Sequence, residues 1–358
     1  MAERFDVLVV GAGPAGCTAA RIAAGAGARV LLAEKRPIIG LPVQCAEFVP
    51  LQIIDYVAVP EHCIAQRIRQ MHSYLPDGET IQTPAAGYVV DRALFDKELA
   101  VAARRAGAEI WSGARVTERT EGGVFVRRGG QDVEVACRVI VGADGPRSTV
   151  GRWLGQVNTE FFDSLQVEVV LPKPQEATQI YFASVYRGGY GWLFPKGETA
   201  NLGVGVSHTL GGNPRQALDH LLERLGFGRG DVVGRTGGPI PSGGPLDPVR
   251  EGTTLLVGDA AGHTHAVTGA GIFSAVVGGT LAGEAVGRAI KTDDLSALSE
   301  YEREWEAFLG GPMRHAVSKR QYLDLHWSDD PGELSDVIRK TWIAFKDYGR
   351  RERTKGEA

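Results

Sequence analysis

The chain has 358 residues, of which 43% are hydrophobic and 23% charged, and its formal net charge at pH 7 is −4. This length and hydrophobic content allow a large buried core, which we expect to be organised as two closely joined domains. The slightly acidic balance offers no broad basic surface, so nucleic acid is not a favoured partner.

The sequence lacks the features of a secreted, membrane-spanning or metal-binding protein. The N-terminus has no charged-then-apolar secretory pattern. The longest stretch without acidic residues, Lys or Arg, residues 260–283, holds too many Gly and His residues for a spanning helix. The four cysteines, at positions 17, 45, 63 and 137, show no metal or disulfide spacing. We therefore expect a cytoplasmic protein without a metal site.

A first glycine segment, Gly-Ala-Gly-Pro-Ala-Gly at residues 11–16, directly follows the apolar run Val7–Val10. Small residues continue to about residue 27, so the pattern predicts a strand, a tight turn and a helix. In that context Gly11 permits the turn, Gly13 lets the backbone approach a pyrophosphate, and Gly16 lets the helix pack against the strand. The helix N-terminus would face the negative charge of the pyrophosphate.

A second strand, predicted over residues 29–33, ends at Glu34, eighteen residues after Gly16. A carboxylate at this point accepts hydrogen bonds from the ribose hydroxyls of an adenine dinucleotide and argues against a 2′-phosphate. The alternative is a glycine-rich turn followed by an ordinary surface Glu. A nicotinamide enzyme would have the same opening, so later segments must decide.

Two further glycine segments each follow a predicted strand. The loop at residues 35–47 is rich in Pro and Gly, and Asp91 caps a helix that runs to Ala106. The second glycine segment is Gly-Ala-Asp-Gly at residues 142–145, and the third is Gly-Asp-Ala-Ala-Gly at residues 258–262. Strand patterns occur at residues 64–90, 108–110, 115–118, 124–128, 133–141, 166–171, 179–185, 190–194, 200–206 and 253–257.

The remaining segments complete a predicted α/β architecture. A helix is predicted at residues 214–225, a Gly/Pro-rich connection at 226–250, and mostly helix from residue 295. We expect a Rossmann-like dinucleotide-binding domain, interrupted by an antiparallel-sheet substrate domain and followed by a C-terminal helical region. The predicted bounds are 1–63, 88–155 and 250–292 for the first domain, 64–87 and 156–249 for the second, and 293–358 for the helical region.

The glycine segments, Glu34, the Asp91-Arg92 helix start and the Thr-Gly-Ala-Gly-Ile sequence at 268–272 together resemble the flavoprotein group of aromatic hydroxylases, halogenases and geranylgeranyl reductases. The resemblance covers most of residues 5–290 and implies FAD as the cofactor. It also implies that peptide N–H groups near the flavin ring favour the anionic reduced flavin. The cofactor-binding residues implied are Gly11, Gly13, Pro14, Ala15, Gly16, Glu34, Lys35, Cys45, Ala46, Arg92, Val116, Asp144, Gly145, Gly258, Asp259, Gly269, Gly271 and Ile272.

Two more segments resemble geranylgeranyl reductases in particular. The sequence Gly-Tyr-Gly-Trp-Leu-Phe-Pro at 189–195 is similar to their YxWxFP signature, and residues 40–47 resemble their cysteine-bearing loop. Tyr190 and Trp192 share one strand face and would form an aromatic wall for an isoprenoid chain. The resemblance implies an FAD-dependent reductase of prenyl C=C bonds, with Cys45, Tyr190 and Trp192 as catalytic residues. The alternatives are plain core packing for the aromatic residues and a small buried hydrophobe for Cys45.

Other functions stay open at this point. A flavin monooxygenase acting on an aromatic or polycyclic substrate is the alternative enzyme, and a flavin electron-transfer protein or an FAD-binding scaffold are further possibilities. The family has Pro where this chain has Arg187 and Ala266. The implied partners are a hydrophobic isoprenoid substrate and an electron donor such as NAD(P)H or ferredoxin. His263 and His265 are expected to be loop residues satisfied by the backbone, without a catalytic role.

The C-terminal residues 333–348 have helical spacing of apolar side chains, followed by a basic tail. One interpretation is an amphipathic helix in peripheral contact with the inner face of an anionic membrane. The other is a helix that closes the substrate domain, followed by a solvated tail. The apolar side chains are Leu334, Val337, Ile338, Trp342 and Phe345, and the basic residues are Arg350, Arg351, Arg353 and Lys355.

Overall fold

The computed structural model describes residues 3–349, which form three β-sheets and eight α-helices. The strands are β1 (Glu3–Arg4), β2 (Val7–Val10), β3 (Val30–Glu34), β4 (Phe48–Pro50), β5 (Ile64–Tyr74), β6 (Thr80–Val90), β7 (Glu109–Ser112), β8 (Ala114–Arg119), β9 (Gly123–Arg128), β10 (Gln131–Ala136), β11 (Val139–Gly142), β12 (Phe161–Val170), β13 (Thr178–Tyr181), β14 (Tyr190–Lys196), β15 (Thr199–Ser207), β16 (Val232–Pro241), β17 (Arg250–Glu251) and β18 (Thr254–Leu256). The α-helices are α1 (Pro14–Gly25), α2 (Arg92–Arg105), α3 (Thr149–Trp153), α4 (Pro214–Leu225), α5 (Ile272–Thr292), α6 (Ser299–Trp305), α7 (Gly311–Leu325) and α8 (Pro331–Thr341).

The six-stranded sheet contains the predicted dinucleotide fold. Its strand order is β17-β18-β11-β2-β3-β7, and every pair except β17–β18 is parallel. All residues of β2 and β11 are buried, as expected for parallel strands covered on both faces. Helix α1 connects β2 to β3, so the predicted strand, turn and helix are confirmed, and Glu34 is the last residue of β3.

The eight-stranded sheet has the order β16-β12-β15-β14-β13-β5-β6-β4 and is antiparallel except for the β5–β13 pair. The four antiparallel strands predicted between residues 166 and 206 are confirmed as β12 to β15. The region at 64–90 forms two strands of eleven residues each, longer than the short strands predicted there.

Two predictions of secondary structure were wrong. The segment 226–250 was predicted as a connection, but it contains β16, which pairs only with β12 at the sheet edge. Its Gly and Pro residues are typical of a loop, so the sequence pattern did not indicate a strand. An edge strand nevertheless tolerates Pro, because the backbone groups on its outer side form no hydrogen bonds to another strand. The strand predicted over 133–141 is two strands, because the chain leaves β10 in the four-stranded sheet β1-β10-β9-β8 and enters β11 in the six-stranded sheet.

Helices α1 and α5 cross at very close range because small residues line their contact. A Cβ on Gly279 would lie 2.4 Å from the carbonyl oxygen of Ala15, and a Cβ on Gly283 would lie 2.9 Å from that of Ala19. The spacing of four residues along α5 keeps these glycines on one helix face. The contact brings the start of α5 beside the first glycine segment.

The C-terminal region is mostly helical, as predicted, but α8 ends at Thr341, before the predicted end at 348. The five apolar side chains of the predicted amphipathic stripe are at most 8% exposed and pack in a core cluster with Tyr190 and Trp192. In this structure the stripe therefore packs inside the protein against the eight-stranded sheet, as the second interpretation expected for the helix. Arg350, Arg351, Arg353 and Lys355 lie outside the described residues. Within residues 3–349, no helix combines the length and apolar character needed to cross a bilayer.

The close helix crossing makes a specific stability prediction. Gly283→Ala should lower the free energy of unfolding by about 1–3 kcal/mol through overpacking against α1, although Ala is intrinsically the better helix former by about 1 kcal/mol. Gly311→Ala in α7 is the matched control, because no atom lies within 4 Å of its Cβ position. Urea denaturation of both variants is the measurement, and equal effects of the two substitutions would contradict the packing argument.

Candidate active site

The three glycine segments meet at one edge of the six-stranded sheet. A Cβ on Gly11 would lie 2.3 Å from the carbonyl oxygen of Ala143, so only glycine allows the first two segments to approach this closely. Gly258 has a left-handed φ of 61°, and a Cβ there would lie 3.1 Å from the Cβ of Ala15. Asn158 joins the second and third segments, because its Nδ2 donates to the carbonyls of Pro146 (3.1 Å) and Asp259 (2.8 Å).

Where β3 ends, the edge carries the Glu34 carboxylate and, beside it, the N-terminus of α1. Glu34 accepts hydrogen bonds from the backbone N–H groups of Ala12 and Arg36, both at 2.8 Å, which holds its carboxylate at the end of β3. Gly13 caps α1 without a side-chain hydrogen bond, and no atom lies within 4 Å of its Cβ position. The N-terminus of α1 therefore has no side-chain cap and has open space at its capping residue, an arrangement that can accept a phosphate.

The third glycine segment and the start of α5 form the other end. Asp259 is bonded by the Thr264 hydroxyl (3.1 Å), and a Cβ on Gly271 would lie 3.2 Å from Asp259 Oδ1. Burial raises the pKa of Asp259, while the Thr264 hydroxyl and the nearby Arg92 guanidinium act in the opposite direction. Ile272 begins α5, so Asp259 lies beside the N-terminus of a 21-residue helix.

The Cys45 loop, residues 35–47, is attached to helix α2 through Arg92. The Arg92 guanidinium forms a bidentate ion pair with Asp96 (2.9 and 2.8 Å), and its charge also acts on the nearby Cys45 sulfur. The Glu47 N–H donates to the same sulfur at 3.2 Å. Burial raises the pKa of the Cys45 thiol, although Arg92 and the Glu47 N–H partly offset this effect. The thiol therefore keeps its proton at neutral pH.

The side chain of Glu47 is the centre of a buried polar network. Glu47 is 2% exposed and adopts a left-handed φ of 72°. Its carboxylate accepts from the Arg92 backbone N–H (2.8 Å), from Lys196 Nζ (2.6 Å) and from Asn201 Nδ2 (2.7 Å). Burial opposes the charge on Lys196, but the Glu47 carboxylate outweighs it and raises the pKa of Lys196. The network links the Cys45 loop, α2, β14 and β15.

The predicted aromatic wall lies on β14 and extends onto the C-terminal segment. The Tyr190 ring is 5.8 Å from the Trp192 ring and 4.9 Å, edge to face, from the Trp342 ring. The Tyr190 hydroxyl donates to the Thr268 carbonyl, which ties the wall to the loop before α5. Burial raises the pKa of Tyr190, with a further contribution from the nearby Cys45 sulfur. The wall and the Cys45 loop are thus brought together.

The C-terminal segment covers this wall. A cavity of about 10 Å³ remains beside Tyr190, with room for about one water molecule. Its lining includes Phe182 and three residues near the chain end, Ile338, Thr341 and Trp342. The Arg339 guanidinium pairs with Asp77 (2.5 Å) and Glu79 (2.6 Å) at the β5–β6 turn and anchors α8 in this position.

Two predicted cofactor residues lie outside this constellation. Val116 is buried in β8, where it pairs with Val126 in the four-stranded sheet, and Lys35 is an exposed residue directly after β3. Their roles in cofactor binding stay predictions. Gly145 has no atom within 4 Å of its Cβ position, and Asp144 accepts hydrogen bonds from the Ser148 hydroxyl and the Thr149 N–H at the start of α3.

The expected hydrogen bonding of the histidine rings to the backbone is confirmed for His265 and wrong for His263. His265 Nδ1 accepts from the backbone N–H groups of Val267 (3.4 Å) and Thr268 (3.2 Å). His263 is fully buried and stacks on Trp305 with ring centroids 4.0 Å apart, but neither ring nitrogen has a hydrogen-bond partner among residues 3–349. Burial lowers the pKa of His263 to about 3, so this imidazole is neutral.

Sequence analysis missed several polar residues that hold the site together. Glu47, Asp96, Gln166, Lys196 and Asn201 all bond to the Cys45 loop, to its partner Arg92 or to the aromatic strand. The available signal was a polar side chain inside an apolar strand pattern, as at Gln166 and Asn201, since a buried polar group must have a partner.

Comparisons with known proteins identify the family. Residues 6–141 match the family model described as FAD dependent oxidoreductase, and residues 165–236 match the geranylgeranyl reductase catalytic domain. A digeranylgeranylglycerophospholipid reductase of Methanopyrus kandleri is 37% identical over 93% of this chain and 90% of that protein. One from Methanothermobacter thermautotrophicus is 35% identical over 97% of this chain and 92% of that protein. The chain belongs to the geranylgeranyl reductase family of FAD-dependent oxidoreductases. It is therefore an oxidoreductase, as the resemblance implied.

Solved structures agree with this assignment at the level of the fold. A geranylgeranyl bacteriochlorophyll reductase-like protein from Thermoplasma acidophilum superposes with a TM-score of 0.85 and 28% identity, covering 96% of this chain and 97% of that one. A probable FAD-dependent monooxygenase from Pseudomonas aeruginosa has a TM-score of 0.71 at 20% identity, covering 94% of this chain and all of that one. The second likeness shows the common α/β fold alone. The predicted fold class is confirmed, and the monooxygenase alternative is not favoured.

The Glu47 network makes a prediction about stability, because its buried carboxylate needs the Lys196 cation. Lys196→Met should lower the free energy of unfolding by about 3–5 kcal/mol, because it leaves the buried Glu47 carboxylate without its cation. Adding Glu47→Gln to this variant should recover part of the lost free energy of unfolding, since residue 47 then has no buried charge that needs a cation. Lys173→Met, in an exposed loop, is the control and should change stability by less than about 0.5 kcal/mol. Chemical denaturation measures all three, and a Lys196→Met variant as stable as the control would contradict the assignment.

Proposed function

We propose that this oxidoreductase uses FAD to saturate C=C bonds in the prenyl chains of a glycerophospholipid. The observation that carries the proposal is the joint position of Cys45, Tyr190 and Trp192, which Gln166 and the Tyr190–Thr268 hydrogen bond connect to one another and to the loop before α5. The names of the Methanopyrus kandleri and Methanothermobacter thermautotrophicus relatives support a prenylated glycerophospholipid as the substrate class.

The residues at the sheet edge fit FAD. The open N-terminus of α1 at Gly13 would hold the pyrophosphate, and the free lone pairs of the Glu34 carboxylate would accept the ribose hydroxyls. The peptide N–H groups from Gly269 to the start of α5 would favour negative charge on the flavin ring. Asp259 lies beside the start of α5 with Arg92 nearby, and the two complete the proposed cofactor site.

Two groups must reach the double bond during reduction. Bound FAD, once reduced by the electron donor, would supply a hydride to one alkene carbon. The other carbon must receive a proton, and the neutral Cys45 thiol carries one in the right surroundings, next to Tyr190 and Arg92. The two additions convert C=C to CH–CH, and the thiolate that remains is stabilised by the Arg92 guanidinium until it regains a proton from solvent.

The aromatic wall would stabilise the positive charge that develops on a tertiary alkene carbon during the reaction. The negative faces of the Tyr190 and Trp192 rings attract such positive charge, and their burial excludes water that would trap it. Trp342 extends the wall from the C-terminal segment.

The electron donor and the membrane contact stay predictions. NAD(P)H and ferredoxin both remain candidates for the donor, and steady-state reduction of the bound flavin by each would distinguish them. A lipid substrate favours peripheral contact with a membrane, although the apolar stripe of the C-terminal segment is buried here. Flotation of the full chain with anionic liposomes measures this contact directly.

An anaerobic reaction tests the proposed function. The purified FAD-loaded protein is reduced with dithionite, and a panel of prenylated glycerophospholipids is added without oxygen. We expect the flavin absorbance to return and the product mass to rise by two hydrogen atoms per reduced double bond. Saturated-chain phospholipids are the control and should leave the flavin reduced. Reoxidation only after air is admitted, with oxygen in the product, would support the monooxygenase instead.

The proposed role of Cys45 as the proton donor leads to a second prediction. Cys45→Ser should retain FAD and lower turnover by about 10²- to 10⁴-fold, the range expected for loss of a general acid. Because burial raises the pKa of the thiol, wild-type kcat should be constant across neutral pH. It should fall only above the ordinary thiol pKa of about 8.5, as the proton is lost.

Cys137→Ser is the matched control for this substitution, because Cys137 lies in the link between β10 and β11. It should leave both turnover and the pH profile unchanged. A Cys45→Ser variant with full turnover would remove the thiol from the mechanism.

A further inference from the structure

The side-chain amide of Gln166 joins the two halves of the proposed site. Gln166 lies on β12 and is 6% exposed. Its Oε1 accepts a hydrogen bond from Trp192 Nε1 at 3.0 Å, and its Nε2 donates one to the Cys45 carbonyl at 3.0 Å. An indole N–H can only donate and a carbonyl can only accept, so these two partners determine the orientation of the amide.

A glycine on the intervening strand allows Trp192 to reach Gln166. Strand β15 lies between β14 and β12, and Gly203 is opposite both Trp192 and Gln166 in the sheet register. A Cβ on Gly203 would lie 2.5 Å from Trp192 Cζ2 and 2.7 Å from Cε2. The indole therefore lies across β15 in the space that the side chain of any other residue would occupy.

The Cys45 segment is held to the sheet at two successive carbonyls. Gln166 bonds the carbonyl of Cys45, and Asn201 donates to the carbonyl of Ala46 at 3.3 Å as well as to Glu47. Asn201 bonds the residues that follow the cysteine, whereas Gln166 bonds the carbonyl of the cysteine itself. Gln166 is also the residue among these that contacts the aromatic wall.

We propose that Gln166 is a positioning residue that holds the Cys45 thiol and the Trp192 ring in one fixed arrangement for the reaction. The proposal rests on the proposed function for its catalytic meaning, but the arrangement itself is measurable without turnover. A buried amide with both bonds satisfied is rigid, and removal of one partner leaves the other with an unpaired buried group.

Thiol labelling tests the arrangement directly. In Gln166→Met, which is similar in size and bonds neither partner, the Cys45 segment loses its contact with β12. Alkylation of Cys45 by iodoacetamide, followed by peptide mass spectrometry, should become roughly tenfold faster, the equivalent of one buried hydrogen bond. Gln166→Glu keeps the acceptor for Trp192 but sets a carboxylate oxygen against the Cys45 carbonyl. It should therefore accelerate labelling to a similar extent, which assigns the effect to the Cys45 bond.

Kinetics then test the positioning role. Gln166→Met should lower kcat roughly tenfold with a smaller change in KM, because the substrate binds mainly through apolar contacts that remain. In a Cys45→Ser background the same substitution should have little further effect on kcat, since residues that act through one another are not additive. Gly203→Ala should reproduce the loss of kcat by displacing the indole.

Thr199→Val is the control, because it removes a side-chain bond to Glu168 between the same two strands, β12 and β15, and retains the shape of the residue. It should change neither labelling nor kcat. The proposal is overturned if Gln166→Met is stable and FAD-loaded yet labels and turns over like wild type, or if Thr199→Val has the same effects. If wild type reduces no prenyl lipid, the proposed function fails, while the labelling result still decides the role of Gln166 in the arrangement.

Discussion

The contacts of the buried Glu47 carboxylate hold the Cys45 loop, α2 and the aromatic strand β14 in their relative positions. The carboxylate accepts three hydrogen bonds, from the start of α2, from Lys196 on β14 and from Asn201 on β15. Glu47 adopts a left-handed backbone conformation that costs about 1 kcal/mol or more and persists only when the surroundings determine it. Without this anchor, the Cys45 loop would lose its ion pair with Lys196 on β14 and would depend on neutral hydrogen bonds to the eight-stranded sheet, such as those from Gln166 and Asn201.

Local chemistry explains why the cofactor side was predictable from sequence. Gly11, Gly13, Gly16 and Glu34 act through the turn and helix that they belong to, so their spacing along the chain carries the information. The substrate side depends on long-range pairs instead. Gln166 meets Cys45 across 121 residues and Glu47 meets Lys196 across 149. Neither pair has a local pattern, and the only clue was a polar residue within an apolar strand. The edge strand β16 was missed for a related reason, because its pairing with β12 overrides its Gly and Pro content.

The C-terminal segment has a part in the site that sequence periodicity alone did not reveal. Its apolar stripe is buried against Tyr190 and Trp192, and Trp342 lies edge to face with Tyr190. With about 10 Å³ of free space, a prenyl chain cannot lie against this wall unless side chains such as Trp342 and Ile338 move aside. The exposed Arg339 ion pairs that anchor α8 are weak enough to permit such movement, since pairs of this kind contribute about 1 kcal/mol or less each.

The charges around Cys45 favour a proton donor over a nucleophile. An isolated Arg92 guanidinium beside the sulfur would promote the thiolate, as in reactive cysteines. Here Arg92 still lowers the pKa of the thiol, but burial of the sulfur outweighs it, so the pKa is raised. After the thiol gives up its proton, the same guanidinium is in place to stabilise the sulfur anion. Burial and Arg92 thus act in opposite directions on the thiol, one holding the proton and the other stabilising the anion left after its release, and protonation of an unpolarised alkene requires both.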